Sequence, residues 1–333
     1  MSTVGIVANP ASGKDIRRLV ARSSVFDNNE KVNILYRVLL ALDALGVEHV
    51  IFMPDYYGLG EHALEHIEVS LDVSFLDMPV HADERDSAEA GRRFRERGVE
   101  CIITLGGDGT NRAVAKGCGD VPLVPISTGT NNVVPCMVEG TIAGLAAGLV
   151  ASGDVDLDRV SQGSKRLEIY QEGELIDIAL VDVVVTSDLF IASRAIWDPA
   201  RIREIVLARA EPGSIGMSAI GSQIQPIGLE DEKGMHLLIG SDGTNVLAPV
   251  APGLVTQVCI REHRMLGIDD EVALEAVPST VALDGERTLK GFPEHPMTVR
   301  LTNNGPRVVN IDDCMEEGIE TGAFRRRCVV DFP

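Results

Sequence analysis

The chain is short of aromatics, of positive charge, of paired cysteines and of long apolar runs. Aromatic residues make up only 4% of its 333 residues, while Val, Ile, Leu, Ala and Gly dominate. That mixture suits an α/β core of aliphatic strands and tight turns. Basic residues number 30 against 50 acidic ones, a formal charge of −20. Such a surface repels nucleic acid and anionic membrane at long range, so neither is expected as a partner. A phosphate site must then be built locally, from backbone N–H groups, a few cations or Mg2+. The six cysteines, at 101, 118, 136, 259, 314 and 328, are far apart with no C-x-x-C spacing. This is the pattern of reduced thiols and excludes a disulfide frame. The longest weakly polar stretch, 142–151, is too short to span a bilayer, and Met1-Ser-Thr enters a strand-like run with no basic or apolar leader. A soluble, cytoplasmic protein is expected.

What is present is a chain with 45% apolar and 24% charged residues, able to bury a sizeable core and long enough for two domains. Over the first 150 residues, short aliphatic runs alternate with helical patterns. Strands are expected at 4–8, 50–53, 73–76, 101–105 and 123–126. Between them, Val32, Leu35, Val38, Leu39, Leu42 and Leu45 recur at helical steps before Gly46, and helices are expected at 61–68, 84–97 (closed by Gly98), from 111, and at 141–151. The alternation predicts a Rossmann-like parallel sheet that binds ligands beyond the carboxyl ends of its strands. From about residue 160 the runs 166–170, 174–187, 235–239, 255–260, 271–277, 280–283, 297–301 and 308–311 read as strands, with one helix near 199–210. These predict a β-sandwich-like second domain. The division expected is 1–155 for an α/β nucleotide-phosphate domain and 156–333 for a β-rich one, with a C-terminal tail free to return to the first.

Leu105-Gly-Gly-Asp-Gly-Thr110 is the most informative segment. It follows a strand and opens a helix. Its glycines let backbone approach a ligand, and its N–H groups form an anion cradle. Asp108 is a poor phosphate ligand by charge, but it can orient and deprotonate an attacking hydroxyl. Pro125-Ile-Ser-Thr-Gly-Thr-Asn-Asn132 follows another strand and offers neutral donors for phosphate or ribose. Asn9-Pro-Ala-Ser-Gly-Lys14 follows the first strand. It fails as a Walker A loop, because Ala8 stands where a glycine is required and Asp15 where Ser or Thr binds the metal. It remains a phosphate-proximal turn with Lys14 as its cation. His62-Ala-Leu-Glu-His66 spells an inverted zinc-protease motif but has no identifiable third ligand, and a solvated helix face explains it better. Arg325-Arg-Arg327 reads as a solvated patch.

Together these residues carry a resemblance to the ATP–NAD kinase and diacylglycerol/sphingosine kinase superfamily, which shares the G-G-D-G-T signature; within it the whole chain most resembles the acetoin-catabolism X protein group. The resemblance implies an N-terminal α/β domain, a C-terminal β-rich domain and an active site between them. By motif, Asp108 matches the acid that handles the acceptor hydroxyl, and Gly106, Gly107, Gly109 and Thr110 the phosphate turn. Asn9 and Gly13 match the N-terminal nucleotide turn, and Thr128, Gly129, Asn131 and Asn132 the T-G-x-N loop, here closer to the lipid kinases. Asp284-Gly-Glu286 resembles the D-G-E segment that turns an acid toward the cleft; equally, it reads as an Asp-Gly hairpin turn. Where NAD kinases hold the dinucleotide with an Asn-Glu pair, this chain has Leu180-Val-Asp-Val183, so only Asp182 can stand in. Their T-G-S-T-A-Y segment is matched by Gly213-Ser-Ile-Gly-Met-Ser218, with Ser214 and Ser218 but no tyrosine.

The expected activity is phosphoryl transfer from ATP, with Mg2+, to a hydroxyl of a nucleotide-like or small acceptor. The NAD 2′-hydroxyl is the first candidate, and the metal ligands stay unassigned. A lipid kinase and a non-catalytic nucleotide-binding regulator linked to acetoin catabolism are the alternatives. Nucleotides and small molecules are the expected partners, and a homo-oligomer, dimer or tetramer, the expected assembly.

Overall fold

In a computed structural model, described over residues 2–13, 26–65, 67–187 and 199–325, the first half winds strands and helices alternately. In chain order these are β1 (Thr3–Ala8), α1 (Asn28–Leu45), β2 (His49–Phe52), α2 (Leu59–Leu64), β3 (Asp72–Phe75), α3 (Glu84–Arg97), β4 (Cys101–Gly106), α4 (Asp108–Ala115), β5 (Leu123–Ser127) and α5 (Gly140–Ser152). Local chemistry sets the helix limits. Asp27 and Asp83 cap α1 and α3 by accepting N–H bonds from Glu30 and Arg85, and Gly46 and Gly98 end the same helices in left-handed conformation. The helix expected at 61–68 is shorter and starts earlier, because Asp55 gathers the N–H groups of Tyr57, Gly58 and Leu59 just before it.

The five strands pair in the order β3-β2-β1-β4-β5, all parallel, the order of the first five strands of a Rossmann sheet. One face carries Leu35, Val38 and Leu42 of α1 with Ala146 and Leu149 of α5. The other carries Ala90 and Phe94 of α3 with Val114 of α4. The register places Ala8 beside Leu105, and Gly106 beside Ser127. The loops after β1, β4 and β5 therefore leave the same sheet edge side by side.

The remaining elements are α6 (Leu157–Val160), β6 (Ser161–Gly163), β7 (Arg166–Gln171), β8 (Glu174–Ala179), β9 (Asp182–Thr186), β10 (Ile202–Leu207), α7 (Ser218–Ser222), β11 (Lys233–Ala251), β12 (Leu254–Gly267), β13 (Glu271–Ala273), β14 (Ser279–Leu283), β15 (Glu286–Gly291), β16 (Met297–Thr302), β17 (Arg307–Val309) and α8 (Ile311–Thr321). Two antiparallel sheets, β12-β11-β10-β9-β14-β15 and β13-β16-β7-β8, bury Val183, Val206 and Val281 against Leu167, Ile169 and Val299. The chain then returns: β17 pairs with β5 and β6 in the first sheet, and α8 docks on α5.

One expectation fails. Residues 199–210 are not a helix but a single 3-10 turn, Pro199–Arg201, followed by β10 in the middle of the larger sheet. Ile202, Ile205, Val206 and Leu207 are all buried, and a β-branched run closed on both faces satisfies a central strand better than a helix with one wet side. The run 174–187 also divides, into β8 and β9, because the N–H groups of Leu180 and Val181 turn to the carboxylate of Asp284.

Candidate functional site

The three loops at the sheet edge interlock. Asn9 Nδ2 donates to Thr110 Oγ1 at 2.9 Å, joining the first loop to the second. Thr128 Oγ1 donates to Ser12 Oγ at 2.9 Å, joining the third to the first. Gly13 sits at φ 70°, where an added Cβ would stand 2.7 Å from the Thr128 carbonyl oxygen, so this bend needs glycine on both counts. Gly106 is equally confined, with an added Cβ 2.5 Å from that of Thr110. At Gly107 an added Cβ would lie 2.9 Å from Asn132 Oδ1, and Asn132 is held by Ser127 Oγ at 2.8 Å. Asn131 Oδ1 stays within its own loop, accepting from Thr130 at 3.3 Å, and Gly129 N donates to Ser127 Oγ at 3.3 Å. Lys14 lies outside the described residues.

Gly107 is the N-cap of α4 and provides no side chain to cap it, whereas α1, α3, α5 and α8 all start under a capping side chain. The N–H groups at the start of α4, at the positive end of its dipole, thus have no capping side chain, and that of Thr110 turns back to the Gly107 carbonyl at 3.1 Å. At Gly109 an added Cβ would meet nothing nearer than the Glu286 carboxyl at 3.7 Å. Glu286, exposed on β15, thus faces the glycine turn from the antiparallel half of the chain.

Asp108 is 8% exposed, and its carboxylate accepts N–H bonds from Val133 (3.0 Å) and Val134 (2.8 Å). Burial, together with the nearby charge of Asp284, pushes its carboxyl up to about 7, against the two amides and the Arg209 guanidinium, which draw it down. Asp284 occupies the hairpin turn between β14 and β15, at φ 51° with Gly285 at φ 79°, the turn geometry Asp-Gly favours. Its carboxylate is not open to solvent: it accepts N–H bonds from Leu180 (3.0 Å), Val181 (2.8 Å) and Asp182 (3.3 Å) and faces Arg112. Burial raises its pKa while Arg112 and the amides oppose. Asp182, buried, is tied to the same turn through the Asp284 N–H, which donates to its carbonyl at 3.0 Å. Ser214 and Ser218 are buried and 3.1 Å apart, and Ser214 spends its hydroxyl on the Glu211 carbonyl. His62 pairs with Glu65 at 2.9 Å, and His66 lies outside the described residues.

Three cations escaped the sequence reading. Lys31, fully buried, donates to the carbonyls of Asn9 (2.9 Å) and Ser12 (2.7 Å) and so holds the first loop in shape. Its signal was there: Lys31 falls in phase with the buried stripe of Ile34, Leu35 and Val38. Arg112, also fully buried, meets Glu84 (3.1 Å), Asp177 (3.5 Å) and Asp284 (3.7 Å), joining the two halves of the chain. Nothing local in the sequence marks it. Arg209 lies two residues past the end of β10, pairs with Glu211 at 3.0 Å and sends its field to Asp108. Reading 199–210 as a helix hid its position just past a strand.

The carboxylates of Asp108 and Asp284 are engaged by backbone N–H groups, and among the described residues no group of three His, Cys, Asp or Glu stands together for a metal. Nor, among those residues, is any helix long and apolar enough to cross a membrane.

Two stretches of the chain match known protein families. Residues 4–155 match the ATP-NAD kinase N-terminal domain, and residues 165–304 the acetoin catabolism protein X C-terminal domain. The acetoin catabolism protein X of Cupriavidus necator is 39% identical over 326 residues, covering 94% of this chain and 91% of that protein. An NAD kinase of Methanosarcina mazei is 24% identical over 237 residues, 68% of this chain and 76% of its own. Yeast NADH kinase, solved with NADH, superposes with a TM-score of 0.56 at 12% identity over 100% of this chain and 90% of that one, a likeness of fold. With an NAD kinase-like glycine-loop half joined to its own type of antiparallel half, the chain belongs to the acetoin catabolism protein X family.

Proposed function

We propose that the protein is an ATP-dependent kinase that phosphorylates a hydroxyl of a small or nucleotide-like acceptor, the 2′-hydroxyl of NAD being the first to test. One observation carries the reading: a carboxyl with a pKa of about 7 begins a helix whose only N-cap is a glycine, at the edge where three loops meet. The N–H groups at the start of α4 would hold the polyphosphate. Asp108 would accept the acceptor's proton as its oxygen bonds to the γ-phosphorus and the bond to the ADP oxygen breaks. A base poised near neutrality suits that transfer. Mg2+ would enter as the counter-ion of the nucleotide's phosphates. The match to the ATP-NAD kinase N-terminal domain supports the donor; the residues that would choose the acceptor, Asp182, Ser214 and Ser218, do not repeat the NAD kinase pattern.

A second reading, a nucleotide-binding regulator that transfers nothing, is favoured by the two amides already on Asp108, which take up part of its acceptor capacity and give the buried carboxylate a structural role. Phosphorus NMR of ATP and Mg2+ with NAD, NADH and small polyols separates the two. A new phosphoester in wild type, absent in Asp108→Asn, establishes the kinase. Nucleotide binding by calorimetry with no ADP from any acceptor establishes the regulator.

A further inference from the structure

Away from the glycine loops, a cavity of about 560 Å3 opens between the segment after β3, helix α3 and the end of α4. In a chain of charge −20 its lining is cationic, with Arg85, Arg92, Arg93, Arg95 and Lys116. Met78 and Pro79 add an apolar wall. Two carboxylates share the lining, and both are occupied. Asp86 is buried and accepts the N–H groups of His81 (2.9 Å) and Ala82 (2.7 Å), so it serves the loop rather than the cavity. Glu89 is shared between Arg92 and Arg93, at 2.6 Å from each, and those two guanidiniums hold its carboxyl at about 2. Each guanidinium offers about five N–H donors in a fixed fork. One carboxylate cannot use both sets, even with Glu96 taking one arm of Arg92 and the Asp77 carbonyl one of Arg93.

We propose that this cavity is a binding site for a small phosphate-bearing anion, separate from the glycine loops. Its volume falls within the usual range of small-molecule sites. Outside the lining, Asp83 pairs with Arg85 at 2.6 Å, Glu96 with Arg92 and Asp177 with Lys116 at 2.8 Å, so the donors left for a ligand are Arg95 and the unspent N–H groups of Arg92 and Arg93. Guanidinium forks recognise phosphate oxygens in pairs, and the apolar wall leaves room for an organic portion. The site requires nothing of the chemistry proposed at Asp108.

Pyrophosphate is the probe, titrated by calorimetry at low salt into wild type, Arg92→Ala, Arg95→Ala and Gly109→Asp, the last placing a carboxylate in the glycine turn. Lys116 is left intact because it also pairs with Asp177 at 2.8 Å, inside the Arg112 cluster. Each arginine variant should weaken binding at least tenfold, and Gly109→Asp should leave that binding in place. Arg95 is exposed, so its variant reports on binding even if Arg92→Ala, which loses two ion pairs, melts early. Unchanged affinity in Arg95→Ala, or loss of all pyrophosphate binding in Gly109→Asp, overturns the site. Citrate binding as tightly as pyrophosphate overturns the assignment to phosphate.

Discussion

Arg112 Nε stands 3.7 Å from Asp284 Oδ2, with the two side chains 1% and 0% exposed, one rising from α4 and the other from the turn between β14 and β15. The pair joins the parallel half of the chain to the antiparallel half, directly behind Asp108. A buried charge left without its partner costs far more than the intact pair contributes. Replacing Arg112 with Met should therefore lower stability by about 3–5 kcal/mol, since it leaves the buried Asp284 without its cation and Asp177 with Lys116 alone. Urea unfolding of the purified variant measures this. A loss under about 1 kcal/mol would show that water reaches the cluster.

Asp108 should govern a pH limb. With its carboxyl raised to about 7, the basic form dominates only above that value, so turnover should climb about tenfold per pH unit below it and level off above. Asp108→Asn should lower turnover by roughly 10²–10⁴-fold. Initial rates from pH 5.5 to 9 test both, and a flat wild-type profile would take the base role away from Asp108.

The same group leaves a mark on stability. The folded carboxyl keeps its proton up to about 7, while an unfolded aspartate releases it near 3.8, so the native state binds more protons between those values. The contribution of Asp108 to stability is therefore largest at low pH and declines as pH rises through that window. Asp108→Asn should flatten this part of the profile, as read from chemical denaturation at a series of pH values.

Gly106 and Gly109 should part company. Gly106→Ala brings a methyl to 2.5 Å from Thr110 Cβ and should cost about 1–3 kcal/mol together with nucleotide binding. Gly109→Ala meets only Glu286 at 3.7 Å and should melt like wild type while weakening nucleotide binding. Paired melting and calorimetric titration decide it; an unstable Gly109→Ala would show a closed gap.

Lys31→Met should loosen the first loop. It deprives the Asn9 and Ser12 carbonyls of a buried donor, a loss of about 1–3 kcal/mol, and should weaken nucleotide binding as well. Hydrogen exchange at residues 9–13 would report the loosening, and unchanged protection there would refute it.

The parallel sheet and its glycine turns were legible because their causes are local. Aliphatic runs, the helix-phase residues from Val32 to Leu45 and Gly46 at φ 78° each act within a few residues of themselves. Gly106, Gly107, Gly109, Thr110 and Asn132 announce themselves in the same way, as a motif between a strand and a helix. The strand at 202–207 misled because Ile-Val-Leu runs fit a buried helix or a buried strand, and only neighbouring β9 and β11 decide. What tertiary structure alone settled is charge. Whether Asp108 is a base near neutrality, whether Asp284 faces solvent or Arg112, and why Lys31 is buried all depend on groups far away in the chain, as with Arg112 and Asp284, 172 positions apart and brought to 3.7 Å by packing. Electrostatic energy follows distance and burial through space, and neither is written in the order of residues.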